Sequence, residues 1–154
     1  MKGRDTGMPD EAYWQSFFDA GCVVAKLVFG EGAPHDVVEI GSGYGTFTLP
    51  VARRAAGAVH AFDIEPDLVA LVRRKARDAG LTNVRAEVRD VLETGTGLPP
   101  AATDHVMLYN LLHIDNPVGL LQEASRILRP GATLSILHWN YDPTTPRGPA
   151  MSIR

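Results

Sequence analysis

The chain has 154 residues, of which 45% are hydrophobic and 21% charged, enough for one domain with a sizeable core and too few for a second. A net charge of −3 and a pI near 5.9 exclude capture of nucleic acid or of an anionic membrane by charge alone. The single cysteine, Cys22, excludes an intrachain disulfide and a multi-cysteine metal site and fits a reducing cytosol. No apolar run approaches a membrane span, and the N-terminus lacks the charged-then-apolar layout of a secretory signal.

In chain order, residues 1–9 carry Gly3, Gly7 and Pro9 among charges and read as irregular. From Asp10, apolar residues at Ala12, Tyr13, Trp14, Phe17 and Phe18 recur every three or four positions, as one helical face does. The pattern continues through Cys22-Val23-Val24-Ala25-Lys26-Leu27-Val28-Phe29, where the thiol reads as a small buried side chain. Gly30-Glu31-Gly32-Ala33-Pro34 breaks it. A β-branched strand follows at 36–41, with Glu39 inside it, and runs into Gly41-Ser42-Gly43-Tyr44-Gly45. A carboxylate within an apolar strand costs several kcal/mol unless it has a partner, and a ligand ammonium or backbone N–H groups would supply one. The glycines permit a sharp turn and close approach of a ligand to the main chain. A helix at about 45–56 would aim its first N–H groups into that turn, which favours a polar or anionic ligand group.

A second strand at 58–64 ends in Asp63, 18 residues past Gly45. An acid so placed can accept hydrogen bonds from a ribose diol, or it can cap the helix that begins at Pro66. That helix ends before Gly80. Its Arg73-Arg74-Lys75 run with Arg77 reads as a solvated face. The third strand, 84–90, alternates apolar and polar residues as an edge strand does and ends at Asp90. A loop spans 95–100, and a central, nearly all-apolar fourth strand spans 105–112. A helix at 116–128 is ended by Arg129-Pro130-Gly131, and a fifth strand covers 132–139. Alternating strands and helices imply an α/β, doubly wound, mainly parallel Rossmann-like sheet with the order 3-2-1-4-5. The predicted organisation is a single domain, with a helical segment at 1–34, a βα core at 35–140 and an irregular tail at 141–154.

The loop spacing is G-x-G-x-G with Thr46 next, so the third glycine of the dinucleotide fingerprint is missing. Four segments in order resemble the class I S-adenosylmethionine-dependent methyltransferases, in particular the small bacterial type 11-like group, over residues 35–140. Glu39-Ile40-Gly41-Ser42-Gly43-Tyr44-Gly45 is similar to that family's first motif, and Arg126-Ile127-Leu128-Arg129-Pro130-Gly131 to its turn into the fifth strand. The resemblance implies S-adenosyl-L-methionine as cofactor and gives the residues roles. Glu39, Gly41, Ser42, Gly43 and Gly45 form the binding turn, and Asp63 takes the ribose hydroxyls with Ile64 packed on the adenine. Asp90 accepts the adenine amino group while the Val91 N–H meets a ring nitrogen. Asn110 stands at the end of the fourth strand beside the methionyl moiety.

It also implies methyl transfer to a small molecule; the net charge argues against a nucleic-acid or membrane partner, and the histidines and acids show no metal-ligand spacing. The sulfonium is an excellent leaving group, so no catalytic residue announces itself. His113 and His138, at the ends of the fourth and fifth strands, are the acid–base candidates, and Tyr13 and Trp14 are candidates for a lid. Relatives continue through a further helix and an antiparallel strand pair, which this sequence lacks. The fifth strand is therefore expected as an apolar edge that the tail or a second copy covers. Two other readings are carried forward: a nicotinamide-dependent oxidoreductase, disfavoured by Thr46, and a cofactor-binding module without turnover.

Overall fold

The computed structural model describes residues 8–139; the calls on residues 1–7 and on the tail beyond Trp139 lie outside them. Five parallel strands form one sheet: β1 (Val37–Ile40), β2 (Val59–Asp63), β3 (Val84–Val88), β4 (Thr103–Tyr109) and β5 (Leu128–Leu137). Their order is β3-β2-β1-β4-β5, as the alternation requires. The helices are α1 (Glu11–Gln15), α2 (Ala20–Leu27), α3 (Thr48–Ala52), α4 (Pro66–Asp78), α5 (Val91–Thr94) and α6 (Pro117–Ile127). None is long and apolar enough to cross a membrane.

Side chains alternate across β1, so Val37 and Glu39 face one side and Val38 and Ile40 the other. On the first side Val37, Val59, Met107 and Tyr109 pack with Val24 and Val28 of α2 and Val51 of α3. On the second, Val38, Ile40, Phe62, Val106 and Leu108 pack under Val91 of α5 and Leu120, Ala124 and Ile127 of α6. Every residue of β1 is buried, as a central strand covered on both faces must be. The register pairs Ile40 with Phe62 and Leu108, and Asp63 with Val88. The carboxyl ends of β1 to β4 thus share one edge of the sheet, and the strand order reverses between β1 and β4, where such sheets bind ligands.

Several elements differ from expectation. The N-terminal helix is two, because Asp10 and Asp19 each cap a separate start, accepting from the backbone N–H of Tyr13 and Cys22. Cys22 is exposed, not buried: it lies in the first turn of α2, whose buried side is set by Val24 and Val28. The helix expected at 45–56 shrinks to five residues, Thr48–Ala52, because the glycine turn holds positive φ through Gly45. Arg129-Pro130-Gly131 does not separate α6 from β5. The strand begins at Leu128, opposite Thr103, and resumes regular pairing at Thr133 opposite His105, with Gly131 at φ +80° in the bulge between. The short helix α5 has no periodic signal and exists because Asp90 caps it. Arg73 and Lys75 are not merely solvated: Arg73 Nε donates to the Ala86 carbonyl at 2.9 Å, and Lys75 reaches the glycine turn.

β5 pairs only with β4 among the described residues, and Ile136 on it is 44% exposed. A groove of about 490 Å³ runs beside it, lined by Leu121, Leu128 and Leu134.

Candidate functional site

The glycine turn joins β1 to α3. Gly41, Gly43 and Gly45 all hold positive φ, at +81°, +51° and +76°, which side-chain-bearing residues rarely adopt. A Cβ on Gly41 would lie 3.1 Å from Leu111, and one on Gly43 2.7 Å from the Met8 methyl. The turn is therefore walled by the loop after β4 on one side and by the N-terminal segment on another.

The turn's amides point inward. The N–H groups of Gly41 and Ser42 donate to the Phe62 carbonyl at 2.7 and 3.1 Å, and that of Gly45 donates to the Ser42 carbonyl at 2.9 Å. The Gly43 N–H donates to Asp63 Oδ2 at 2.8 Å. With α3 only five residues long, the anion-attracting turn expected from the sequence is not what forms. Four amides are already engaged, and the acids Glu39 and Asp63 stand beside them, with the Lys75 ammonium held on the Tyr44 carbonyl.

Glu39 is 1% exposed and accepts a hydrogen bond from the Thr48 hydroxyl. Burial pushes its carboxyl up to about 8, with the Asp63 charge adding to the rise and the Thr48 bond opposing it. Asp63 Oδ1 accepts from the Glu65 N–H at 3.0 Å while its other oxygen holds Gly43. It links β2 to the turn rather than capping α4, whose N-cap is Glu65. Asp90 Oδ1 accepts from the N–H groups of Leu92 and Glu93 at 3.1 and 3.3 Å. Ile64 and Val91 follow directly on Asp63 and Asp90, at the same edge of the sheet.

Asn110 sits at φ +55° immediately after β4, its N–H donating to the Leu137 carbonyl at 2.6 Å. Both atoms of its carboxamide are enclosed and lack a partner within the protein, as does the Ser42 hydroxyl. Native structures rarely leave such groups unpaired, and positive φ at a non-glycine residue stores strain of the kind that gathers at ligand sites. Three residues on, both ring nitrogens of His113 are likewise enclosed and unpaired. Its ring lies parallel to that of His138, with centroids 5.9 Å apart and planes at 14°.

The N-terminal segment, from which the sequence offered Tyr13 and Trp14 as a lid, meets the turn through Met8, Pro9 and Glu11, which the sequence did not single out. Tyr44 Oη donates to the Pro9 carbonyl at 2.9 Å, and Lys75 pairs with Glu11 while donating to the Tyr44 carbonyl at 3.0 Å. Tyr13 and Trp14, the lid candidates, lie in an aromatic cluster. Tyr13 meets Phe17 at 4.6 Å and Trp14 meets Phe18 at 5.0 Å. At the opposite edge of the sheet His35, Asp36 and Asp104 come within 4.8 Å of one another. The Arg129 guanidinium occupies that group, 2.6 Å from Asp104 and 3.6 Å from Asp36.

The donor set fits the cofactor expected from the sequence. Asp63 and Asp90 offer acceptors suited to hydroxyl and amino groups, Asn110 and Ser42 have unspent hydrogen-bonding capacity, and the turn leaves room only for close main-chain contact.

Comparison with known proteins agrees. A family model described as "Methyltransferase domain" matches residues 37–131. Aklanonic acid methyltransferase DauC of Streptomyces sp. (strain C5) is 33% identical over 102 residues, covering 64% of this chain and 46% of that protein. Demethylmenaquinone methyltransferase of Tropheryma whipplei (strain Twist) is 27% identical over 132 residues, covering 85% of this chain and 50% of that protein. The chain thus spans about half the length of the curated relatives it matches. Among solved structures, a SAM dependent methyltransferase from Aquifex aeolicus superposes with a TM-score of 0.76 at 23% identity, covering 94% of this chain and 76% of that one. The [4+2]-cyclase SpnF superposes at 0.68 and 22% identity, covering 88% and 47%. With the family model spanning well over half of the sequence and the fold in agreement, the chain belongs to the class I S-adenosylmethionine-dependent methyltransferases.

Proposed function

We propose that this chain binds S-adenosylmethionine at the carboxyl edge of its sheet and that the methyl group passes from there to a small-molecule acceptor. The observation that carries this reading is the inward-turned glycine loop beside grouped acids. A pyrophosphate needs free N–H donors, and here four amides are engaged and Asp63 occupies the turn. The same surroundings suit a cationic, hydroxyl-bearing ligand, which weighs against a nicotinamide dinucleotide.

In this reading Asp63 exchanges its bond to Gly43 for the ribose hydroxyls, and Ile64 packs on the adenine. Asp90 accepts the adenine amino group, with the Val91 N–H at a ring nitrogen. Asn110 and Ser42 spend their unpaired atoms on the methionyl end. Gly41, Gly43 and Gly45 keep side chains out of the ligand's path. Glu39, protonated or hydrogen-bonded through Thr48, braces the turn from below. The bound cofactor supplies an activated methyl group on a sulfonium, a good leaving group. The chain's own tasks are to orient, to exclude water and to hold the acceptor in line. The two curated relatives are named for aklanonic acid and demethylmenaquinone, which supports a small-molecule acceptor. Because a fold does not by itself fix the chemistry, one alternative is kept, a module of this fold that holds the cofactor without transferring its methyl group.

Calorimetry with S-adenosylhomocysteine tests the assignment. Wild type is expected to bind it and not NAD, and Asp63→Ala to weaken binding at least tenfold, the loss of a charge-assisted hydrogen-bond pair. No binding by folded wild type, or unchanged binding by folded Asp63→Ala, would overturn it.

A further inference from the structure

Resting on the methyltransferase reading, we infer that Met8 is a built-in plug of the cofactor turn. Its side chain fills the space over Gly43 that the cofactor must take, so the two exclude each other. Each glycine of the turn, lacking a side chain and held at positive φ, leaves a space beside its α-carbon. A Cβ on Gly45 would meet Val72 of α4 at 3.1 Å, and one on Gly41 would meet Leu111 at 3.1 Å. Val72 and Leu111 are rooted in the packed interior, so the fold itself fills those two spaces. Over Gly43 the neighbour is the Met8 methyl, 2.7 Å from the Cβ position, with its sulfur at 3.7 Å. Met8 belongs to the half-buried segment just ahead of α1.

Gly43 is also the turn residue whose N–H reaches Asp63 Oδ2, at 2.8 Å. A ligand whose hydroxyls take that carboxylate lies against Gly43, where the Met8 methyl stands. An unbranched thioether suits the task of a temporary occupant. It reaches a narrow space over main-chain atoms and makes dispersion contacts there. It adds no hydrogen bond that an arriving ligand would have to replace.

The segment's other ties to the turn are light. The Tyr44 hydroxyl donates to the Pro9 carbonyl at 2.9 Å, a neutral bond. The Lys75 and Glu11 side chains that pair behind it are 26% and 34% exposed, so solvent screens them. Asp10, at φ −56° and ψ 157°, is not helical and separates Met8 and Pro9 from α1. Tyr13 and Trp14 of α1 are held by Phe17 and Phe18. Met8 can therefore leave Gly43 by a swing at Asp10 while α1 stays packed. A site that is open for only a fraction of the time binds its ligand more weakly by that fraction. Removing a plug tightens binding, whereas removing a wall that touches the ligand loosens it.

Those opposite signs decide the matter. S-adenosylhomocysteine is titrated calorimetrically into wild type and Met8→Ala, and the methionine methyl resonances of wild type are followed by NMR. Met8→Ala is expected to bind about fivefold more tightly. In free wild type the Met8 methyl should show a nuclear Overhauser contact with the Gly43 α-protons, and saturation with S-adenosylhomocysteine should abolish it. Equal or weaker binding by Met8→Ala, or a Met8–Gly43 contact that survives saturation, overturns the inference and leaves the cofactor reading standing. If S-adenosylhomocysteine binds neither folded protein, the cofactor reading falls and the plug falls with it, whatever contact Met8 makes in the free chain.

Discussion

Asn110 concentrates two costs in one residue: a backbone at φ +55° and an enclosed carboxamide with neither atom paired. Each is of order 1 kcal/mol or more. Asn110→Gly removes both, and is expected to raise the melting temperature by about 2–4 °C while weakening S-adenosylhomocysteine several-fold. A melting temperature that falls would show that the conformation is held for stability and not for a ligand. Thr48 is the reverse case. Its hydroxyl holds the Glu39 carboxyl, so Thr48→Val leaves a buried acid without its bond and should cost about 1–3 kcal/mol in urea denaturation. Glu39, Asp63, Asp90 and Asn110 are legible in the sequence because their type and their place after apolar strands carry the signal. Thr48 and Met8 are not, since their roles come from packing against the glycine turn.

At the scale of elements, periodicity finds the strands and the long helices α4 and α6, while local side-chain bonds set the rest. Asp10 and Asp19 split one apparent helix into α1 and α2, and Asp90 creates α5. A bulge absorbs the Arg129-Pro130-Gly131 segment that reads as a break. The contact of α1 with the cofactor turn is legible from neither pattern, because Lys75 and Glu11 lie 64 residues apart. Lys75→Met cuts both the ion pair and the bond to the Tyr44 carbonyl. Hydrogen exchange of α1 amides should then speed up at least tenfold, with the amides of β1 and β4 unchanged. Equal protection in the variant would mean that the aromatic cluster alone holds α1 in place.

For the whole molecule, two buried groups oppose each other across the pH scale. His105 is 2% exposed, bonded to Ser135 at 2.8 Å, and burial pushes its imidazole down to about 4. The unfolded chain binds that proton near pH 6.5, so stability is lost as pH falls from 6.5 toward 4, by about 3 kcal/mol. Glu39, pushed up to about 8, keeps its proton in the folded state after the unfolded chain has released it near 4.5. Stability therefore falls as pH rises from about 4.5 through 8. Urea midpoints at pH 4.5 and 6 should be nearly equal, because the two terms offset each other there, and the midpoint at pH 8.5 should be lower; in His105→Gln the midpoint at pH 4.5 should exceed that at pH 6. A midpoint that climbs steadily to pH 8.5 would contradict the buried state of Glu39. The sheet order itself is the most legible feature of the molecule, because strands alternating with helices admit few parallel arrangements.

The central claim is that S-adenosylmethionine is held where the turn after β1, the acids after β2 and β3, and Asn110 after β4 converge. A titration of isotope-labelled protein with S-adenosylhomocysteine, followed by amide NMR, tests it most directly. The Gly43 and Val91 backbone amides and the Asn110 side-chain amide should shift together, with NAD at the same concentration leaving them still. Shifts confined to the groove beside β5, or the same shifts with NAD, would contradict it.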